Sequence, residues 1–266
     1  MKIKKLLEFT GWAVAVAGTS FLLSFANSEQ NKTVCKDIII QLHQGDYALV
    51  SENEILGKLT KNYGNLQGKP IHKIPFRNIE SEIMKISALS RADVFATPSG
   101  YVKISAVERM PLIKIFNHQN KNFYLDKEGN IFTTQTSHSA RVLIANGNIS
   151  LEPRAGTNIY HFPDSVIGIK QVRAIAYVAQ HISNNKTLNA LISQIFVNHR
   201  NEIELIPLIA NHVIILGDTS NLTEKFENLL IFYKRMGNLN QLNRYETINL
   251  KYKNQIVCTK NTIYGN

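Results

Sequence analysis

The sequence predicts an α+β protein with one N-terminal transmembrane helix, a small β-α-α-β-β domain and a larger, mostly antiparallel β-sheet domain with two or more helices. Three observations support this fold class. Residues 9–26 carry no charged side chain, period-2 and helical apolar patterns alternate along the chain, and Pro111 interrupts the series of strands. With 266 residues and a hydrophobic fraction of 44%, the chain can bury two modest cores.

The apolar segment 9–26 is close to the length that a helix needs to cross a bilayer. Lys2, Lys4 and Lys5 precede it, so residues 1–8 are expected to form a cytoplasmic tail and the rest to be exported. A cleaved signal peptide is the alternative, because residues 24–26 resemble a small-x-small cleavage site. In both cases most of the chain lies outside the cytoplasm.

The formal net charge of +10 permits nucleic acid, anionic lipid or an acidic protein as a partner. The lysines and arginines of the chain are scattered and accompany no recognition motif, which disfavours nucleic-acid binding. Cys35 and Cys258 show no C-x-x-C spacing, so two unpaired structural thiols are expected. The alternative is a disulfide between these two cysteines, which an oxidising compartment would permit.

The first predicted domain spans residues 33–110. Ser51 and Glu54 match a capping box that begins a helix ending near Tyr63. A second helix with one apolar face follows. The other predicted elements are a first strand at 35–42, the second helix at 78–89, and strands at 91–97 and 101–108.

Glu108, Arg109 and Pro111 are predicted to form the joint between two domains. Pro111 cannot donate a ladder hydrogen bond, so the strand must end, bend or pass to another sheet near Arg109.

The second predicted domain spans residues 111–258 and precedes a C-terminal tail at 259–266. Residues 247–257 alternate apolar and polar side chains and are predicted to form one terminal strand. Such a strand is either a sheet edge protected by lysines or a platform to which a partner adds a strand. The preceding predicted elements are strands at 113–116, 123–126, 141–145, 191–198, 203–206 and 213–216, and helices at 170–182 and 222–236.

Four segments occur in a distinctive order along the chain. They are Val107-Glu108-Arg109-Met110-Pro111, residues 123–132 (FYLDKEGNIF), residues 212–217 (HVIILG) and residues 248–257 (INLKYKNQIV). Following one apolar segment and a small β-α-α-β-β unit, this set resembles the FtsQ/DivIB family of bacterial cell-division proteins over the whole chain. The resemblance implies a POTRA domain at 33–110 and an FtsQ-type β domain at 111–258.

The resemblance also implies a function. It predicts a single-pass protein of the bacterial inner membrane, with periplasmic domains, that is enriched at the division septum. There it would recruit the coiled-coil division proteins FtsB and FtsL and, through them, contact FtsW and FtsI. Lys251 stands where the family has Arg, so the resemblance implies that it pairs with an acidic partner residue, although lysine lacks the bidentate geometry of arginine. The expected partner-binding residues are Asn249, Leu250, Lys251, Tyr252, Asn254, Ile256, Phe226 and Tyr233.

The chain contains none of the common catalytic motifs, such as G-x-S-x-G, H-E-x-x-H, a Walker-A loop or G-x-G-x-x-G. No enzyme activity, cofactor or metal is therefore expected. Two alternatives stay open. One is a secreted or anchored envelope protein with a POTRA-like domain in transport, and the other is a periplasmic enzyme or binding protein with a cleaved signal peptide.

Overall fold

The computed structural model describes residues 12, 16–20, 33–43, 45, 47–134, 139–237 and 239–261. The chain divides into two compact units, both of which contain helices and strands, so the protein is α+β as predicted. The first unit comprises Met1–His43, Ser51–Lys85 and Leu89–Val107, and the second comprises Gln44–Val50, Ile86–Ala88 and Glu108–Asn266.

The fold-class prediction is wrong in its transmembrane helix. Of the span 9–26, only residues 12 and 16–20 are described, and they are helical. Among the described residues, no helix has both the length and the apolar character needed to cross a membrane. The predicted tail at 1–8 lies outside the described residues.

The first unit has the predicted order β-α-α-β-β. Its three strands form one sheet in the order β1-β3-β2, with β1 parallel to β3. The elements are β1 (Asp37–His43), α1 (Glu52–Tyr63), α2 (Phe76–Ile83), β2 (Leu89–Ala96) and β3 (Tyr101–Glu108).

Local sequence explains the elements of this unit. The Ser51 side chain accepts a hydrogen bond from the Glu54 amide, as the predicted helix start requires. Apolar residues at helical spacing on both helices are fully buried, and so are alternate residues of β3. The second helix ends at Ile83, earlier than predicted. Leu89, the last residue of the predicted helix, is the first residue of β2. The buried residues are Ile55, Leu59, Ile79, Ile83, Val102, Ile104 and Ala106.

The second unit is built on a nine-stranded mixed sheet. Its strand order is β12-β11-β10-β9-β8-β7-β4-β5-β6, and five of the eight pairings are antiparallel. The strands are β4 (Pro111–Phe116), β5 (Asn122–Asp126), β6 (Ile131–Phe132), β7 (Leu143–Gly147), β8 (Ile192–Val197), β9 (Ile203–Pro207), β10 (Val213–Gly217), β11 (Tyr245–Asn249) and β12 (Val257–Lys260).

Two long helices pack against the apolar residues of this sheet in one continuous core. The buried face of the first carries Val172, Ile175 and Val178, and that of the second carries Phe226 and Leu229. The helices of the unit are α3 (Ile169–Asn184), α4 (Lys186–Leu191), α5 (Leu222–Met236) and α6 (Leu239–Leu242). The antiparallel succession predicted for 191–216 is confirmed by β8, β9 and β10.

The single terminal strand predicted at 247–257 is wrong. β11 ends at Asn249, and a connection of residues 250–256, here called the 250–256 turn, leads back into antiparallel β12. The Asn249 side chain accepts from the Lys251 amide at 3.0 Å, and Asn254 adopts a left-handed conformation with φ 59°. Asparagine favours both features, so these two residues end the ladder although the apolar alternation continues.

Candidate partner-binding surface

β12 is the outermost strand at one side of the nine-stranded sheet. It pairs with β11 from Val257, opposite Asn249, to Lys260, opposite Tyr245, and no other strand of the described chain pairs with it. Val257 is 43% exposed, and Thr259 and Lys260 are exposed as well. An outermost strand leaves backbone N–H and C=O groups unpaired along its free side. β12 can therefore accept a strand from another chain.

The 250–256 turn presents an aromatic side chain beside this edge. Tyr252 is 51% exposed, and Asn254 is exposed at the left-handed position of the turn. Ile256 is half-buried and packs against the core of the second unit. Leu250 is buried, and its amide donates to the Ile215 carbonyl of β10 at 2.9 Å. The turn thus has an exposed tip between two anchored ends.

Lys251 is already paired within the chain. Its Nζ donates to Oε1 of Glu202, in the connection between β8 and β9, and this bond lowers the pKa of the Glu202 carboxyl. The stem of Lys251 crosses Gly217, the last residue of β10. A Cβ atom on Gly217 would lie 2.7 Å from Cγ of Lys251, and the residue has φ +76°. Gly217 is therefore the residue that leaves room for the lysine.

The two predicted α5 residues face the interior. Phe226 is 3% exposed and belongs to the core. The Tyr233 hydroxyl shares a hydrogen bond with Nε2 of His212, at the beginning of β10. Burial raises the pKa of Tyr233 and lowers that of His212 to about 4, so both groups are neutral near pH 7. Phe226 is buried and Tyr233 is half-buried, and both hold the helix against the sheet; their partner role stays a prediction.

A shallow groove separates the 250–256 turn from the beginning of α5. Its helix side is formed by Ser220, Asn221, Glu224 and Asn228, and its other side by the turn. Both sides are largely polar. A protruding side chain of a partner could enter beside Tyr252.

Lys225 lies beneath this groove, although helical spacing predicts it on the solvent side of α5. Its Nζ donates to the carbonyl oxygens of Leu216 and Asp218 and to Oδ1 of Asp218, at 2.9 to 3.0 Å. Hydrogen bonds from Ser220 and Lys225 hold the pKa of Asp218 at about 2. Asp218 therefore binds the lysine, and α5 begins without a side-chain cap. The side chain of Lys225 thus holds the carbonyl oxygens of the residues before and after Gly217.

The predicted joint residues make contacts within the second unit. Glu108 is buried and accepts from the Val50 amide at 2.7 Å, and burial raises the pKa of its carboxyl. Arg109 donates from Nε to the Ser87 carbonyl and from Nη1 to Oδ2 of Asp126. Pro111 is the first residue of β4, so the chain does pass to another sheet here, as predicted. The joint function of these residues stays a prediction.

The described part of the chain contains no group of three or more His, Cys, Asp and Glu residues that could hold a metal ion. Cys35 and Cys258 are both free. The geometry of the surface is suited to protein contacts: an open strand edge, an exposed tyrosine and a polar groove.

Three residues of this surface escaped the sequence interpretation. Val257 was placed inside a strand rather than at the beginning of the edge strand. Glu202 carries no usable signal, because nothing in the sequence indicates that it pairs with a residue 49 positions away. Gly217 had a usable signal, since a glycine between a buried strand and a helix often marks a close approach.

Comparison with known families agrees with this architecture. The model of the family described as FtsQ/DivIB, C-terminal related, matches residues 110–259, which is more than half of the chain. The model of the POTRA-like domain matches residues 33–107. No curated protein matches the chain. The resemblance drawn from the sequence motifs is thus confirmed, and the chain belongs to the FtsQ/DivIB family, with a POTRA-like domain followed by an FtsQ/DivIB-related C-terminal domain.

Proposed function

We propose that this protein is a non-enzymatic scaffold of the bacterial cell-division machinery. It recruits coiled-coil division proteins of the FtsB/FtsL type and links them to septal peptidoglycan synthesis by FtsW and FtsI. Family membership supports the coarser part of this proposal, because FtsQ/DivIB proteins are non-enzymatic, membrane-associated proteins of the division site. The POTRA domain would span residues 33–110 and the β domain residues 111–258, both acting in the periplasm at the septum.

The free edge of β12 is the observation that carries the proposal. It continues a nine-stranded sheet, and its neighbouring turn exposes Tyr252. An extended partner segment that pairs with β12 would gain backbone hydrogen bonds, while Tyr252 and Val257 would supply apolar contact. Asn249, Leu250, Lys251, Asn254 and Ile256 would shape this surface, and Phe226 and Tyr233 would support it through α5.

Co-purification tests the proposal with the full-length chain. The chain is co-expressed with tagged FtsB- and FtsL-type proteins of the same bacterium, and the captured amount is compared between variants. Tyr252→Asp places a charge at the centre of the proposed interface and should reduce capture at least tenfold, as expected for an aromatic hot spot.

Tyr177→Asp is the matched control. Tyr177 lies on α3, outside the proposed surface, and its exposure of 46% is close to that of Tyr252. It should leave capture unchanged. Equal capture by the two variants, at the level of the unchanged chain, would refute the proposed surface.

Depletion in the source bacterium separates division from envelope transport. The division role predicts filaments that grow without septa. Normal septation together with an altered envelope would instead favour a POTRA-like protein that serves transport.

A further inference from the structure

We propose that Lys251 is a positioning residue that holds the 250–256 turn in place through Glu202 and Gly217, and that its ammonium group does not contact the partner. These three residues are called the brace. The inference extends the proposed function, because it says how the proposed partner surface is kept in its binding conformation.

The first part of the brace is steric. Gly217 lies directly under the Lys251 stem, where an added Cβ would approach Cγ to 2.7 Å and Cδ to 3.0 Å. The backbone around Gly217 is held by Lys225, whose Nζ binds the carbonyl oxygens of the preceding residue Leu216 and the following residue Asp218. The stem of Lys251 therefore rests on a fixed piece of backbone.

The second part of the brace is electrostatic. Glu202 is 25% exposed and Lys251 is 39% exposed, so their ion pair is partly shielded from water. The Glu202 backbone is itself fixed, because its amide donates to Oδ1 of Asn198 at 3.0 Å. Lys251 thus extends from the turn to a rigid connection between β8 and β9. The charge of Lys251 is therefore paired with a carboxylate of the same chain.

The third part is the backbone on either side of Lys251. The Leu250 amide is bonded to β10 and the Lys251 amide to the Asn249 side chain. After Lys251 the side chains of Tyr252 and Asn254 are exposed. Loss of the brace would leave the tip of the turn free to change conformation, and ordering it on binding would then cost conformational entropy.

Amide hydrogen exchange and partner capture test the inference together on the full-length chain. Single variants Lys251→Glu and Glu202→Lys each leave two like charges in place of the pair. Both should speed exchange of the peptide 247–256 by about twofold to fivefold, the range expected for a partly exposed ion pair. Both should also weaken capture by tagged FtsB- and FtsL-type proteins. Exchange of α3 amides should be unchanged, which distinguishes a local effect from general unfolding.

The double variant, Lys251→Glu with Glu202→Lys, decides between positioning and direct contact. It restores an ion pair at the same place with reversed polarity, so a positioning role predicts that both exchange and capture return toward the original values. If the exchange rate of the double variant returns to the original value but partner capture stays low, the Lys251 ammonium contacts the partner. That result would overturn the inference. Unchanged exchange in both single variants would also overturn it.

The experiment keeps this inference separate from the proposed function. If the unchanged chain captures no FtsB- or FtsL-type protein, the proposed function fails. The exchange data by themselves then test whether Lys251 positions the turn, because that measurement needs no partner.

Discussion

Arg109 donates from Nη1 to Oδ2 of Asp126 at 2.8 Å, in an ion pair in which the Asp126 side chain is only 4% exposed. The same carboxylate accepts from the backbone amide and the side-chain amide of Asn130. Arg109 also binds the Ser87 carbonyl through Nε. One buried carboxylate thus connects the beginning of β4 to the turn between β5 and β6.

Arg109→Met should destabilise the second unit by about 3 kcal/mol. The change leaves the Asp126 carboxylate buried without its cation, and an unpaired buried charge strongly lowers the free energy of unfolding. Urea unfolding of the full-length chain measures the effect. Lys121→Met is the control, because both partners of the Lys121–Glu152 pair are more than half exposed. It should cost no more than about 1 kcal/mol, and equal losses for the two variants would contradict this interpretation.

His212 should make the second unit less stable in acid. Its pKa falls from 6.5 to about 4 on burial, so the unfolded chain binds a proton that the folded chain excludes between these values. Stability is therefore complete above pH 6.5 and is lost as the pH falls toward 4, with about 2 kcal/mol lost between pH 7 and pH 5. Unfolding measured at both values should show this loss.

His212→Gln should remove that part of the pH dependence, whereas His199→Gln at an exposed turn position should retain it. The carboxylates titrate equally in all three chains, so the difference between variants isolates His212. An unchanged pH dependence in His212→Gln would rule out this histidine as the source.

Gly147→Ala should destabilise the sheet by about 3 kcal/mol. Gly147 has φ +99°, and a Cβ there would lie 2.2 Å from the Val197 carbonyl oxygen of the neighbouring strand. Both the conformation and the clash oppose a side chain. Gly57→Ala is the control within α1, where an added Cβ meets no atom within 4 Å. It should stabilise the first unit by about 0.5 to 1 kcal/mol, and thermal unfolding should therefore move in opposite directions for the two variants.

Lys225→Met should cost about 2 kcal/mol, because the carbonyl oxygens of Leu216 and Asp218 lose the buried ammonium group that donates to them. Lys234→Met, on the exposed side of the same helix, should stay within about 0.5 kcal/mol. Denaturant unfolding compares them. A similar loss for both would mean that helix propensity or net charge, rather than the buried hydrogen bonds, sets the result.

Local patterns in the sequence predicted much of the fold. Ser51 with Glu54 marked the beginning of α1, the apolar spacing of Phe226 and Leu229 gave α5, and Pro111 marked the change of sheet. Each of these signals depends on residues that are close together in the chain. The same reasoning failed at residues 247–257, where the apolar alternation outweighed the turn-forming tendency of Asn249 and Asn254.

The candidate surface was harder to predict because it depends on long-range contacts. Lys251 alternates with apolar neighbours and so seemed available to a partner, but its charge is paired with Glu202. Tyr233 is one of the expected partner-binding residues, but its hydroxyl shares a hydrogen bond with His212, the residue before β10. Spacing within a helix or a strand contains no information about such pairs. Tyr252 is exposed because the chain turns at this point, and its role as a partner contact stays a prediction.

Site-specific photo-cross-linking in dividing cells tests the central claim most directly. A photoreactive residue replaces Val257 on β12 of the full-length chain, and the same residue replaces Tyr177 on α3 as the control. We predict that position 257 forms a cross-link to a coiled-coil division protein of the FtsB/FtsL type and that position 177 does not. Cross-linking of that partner at position 177 with none at position 257 would contradict the assignment of the β12 edge as the partner-binding surface.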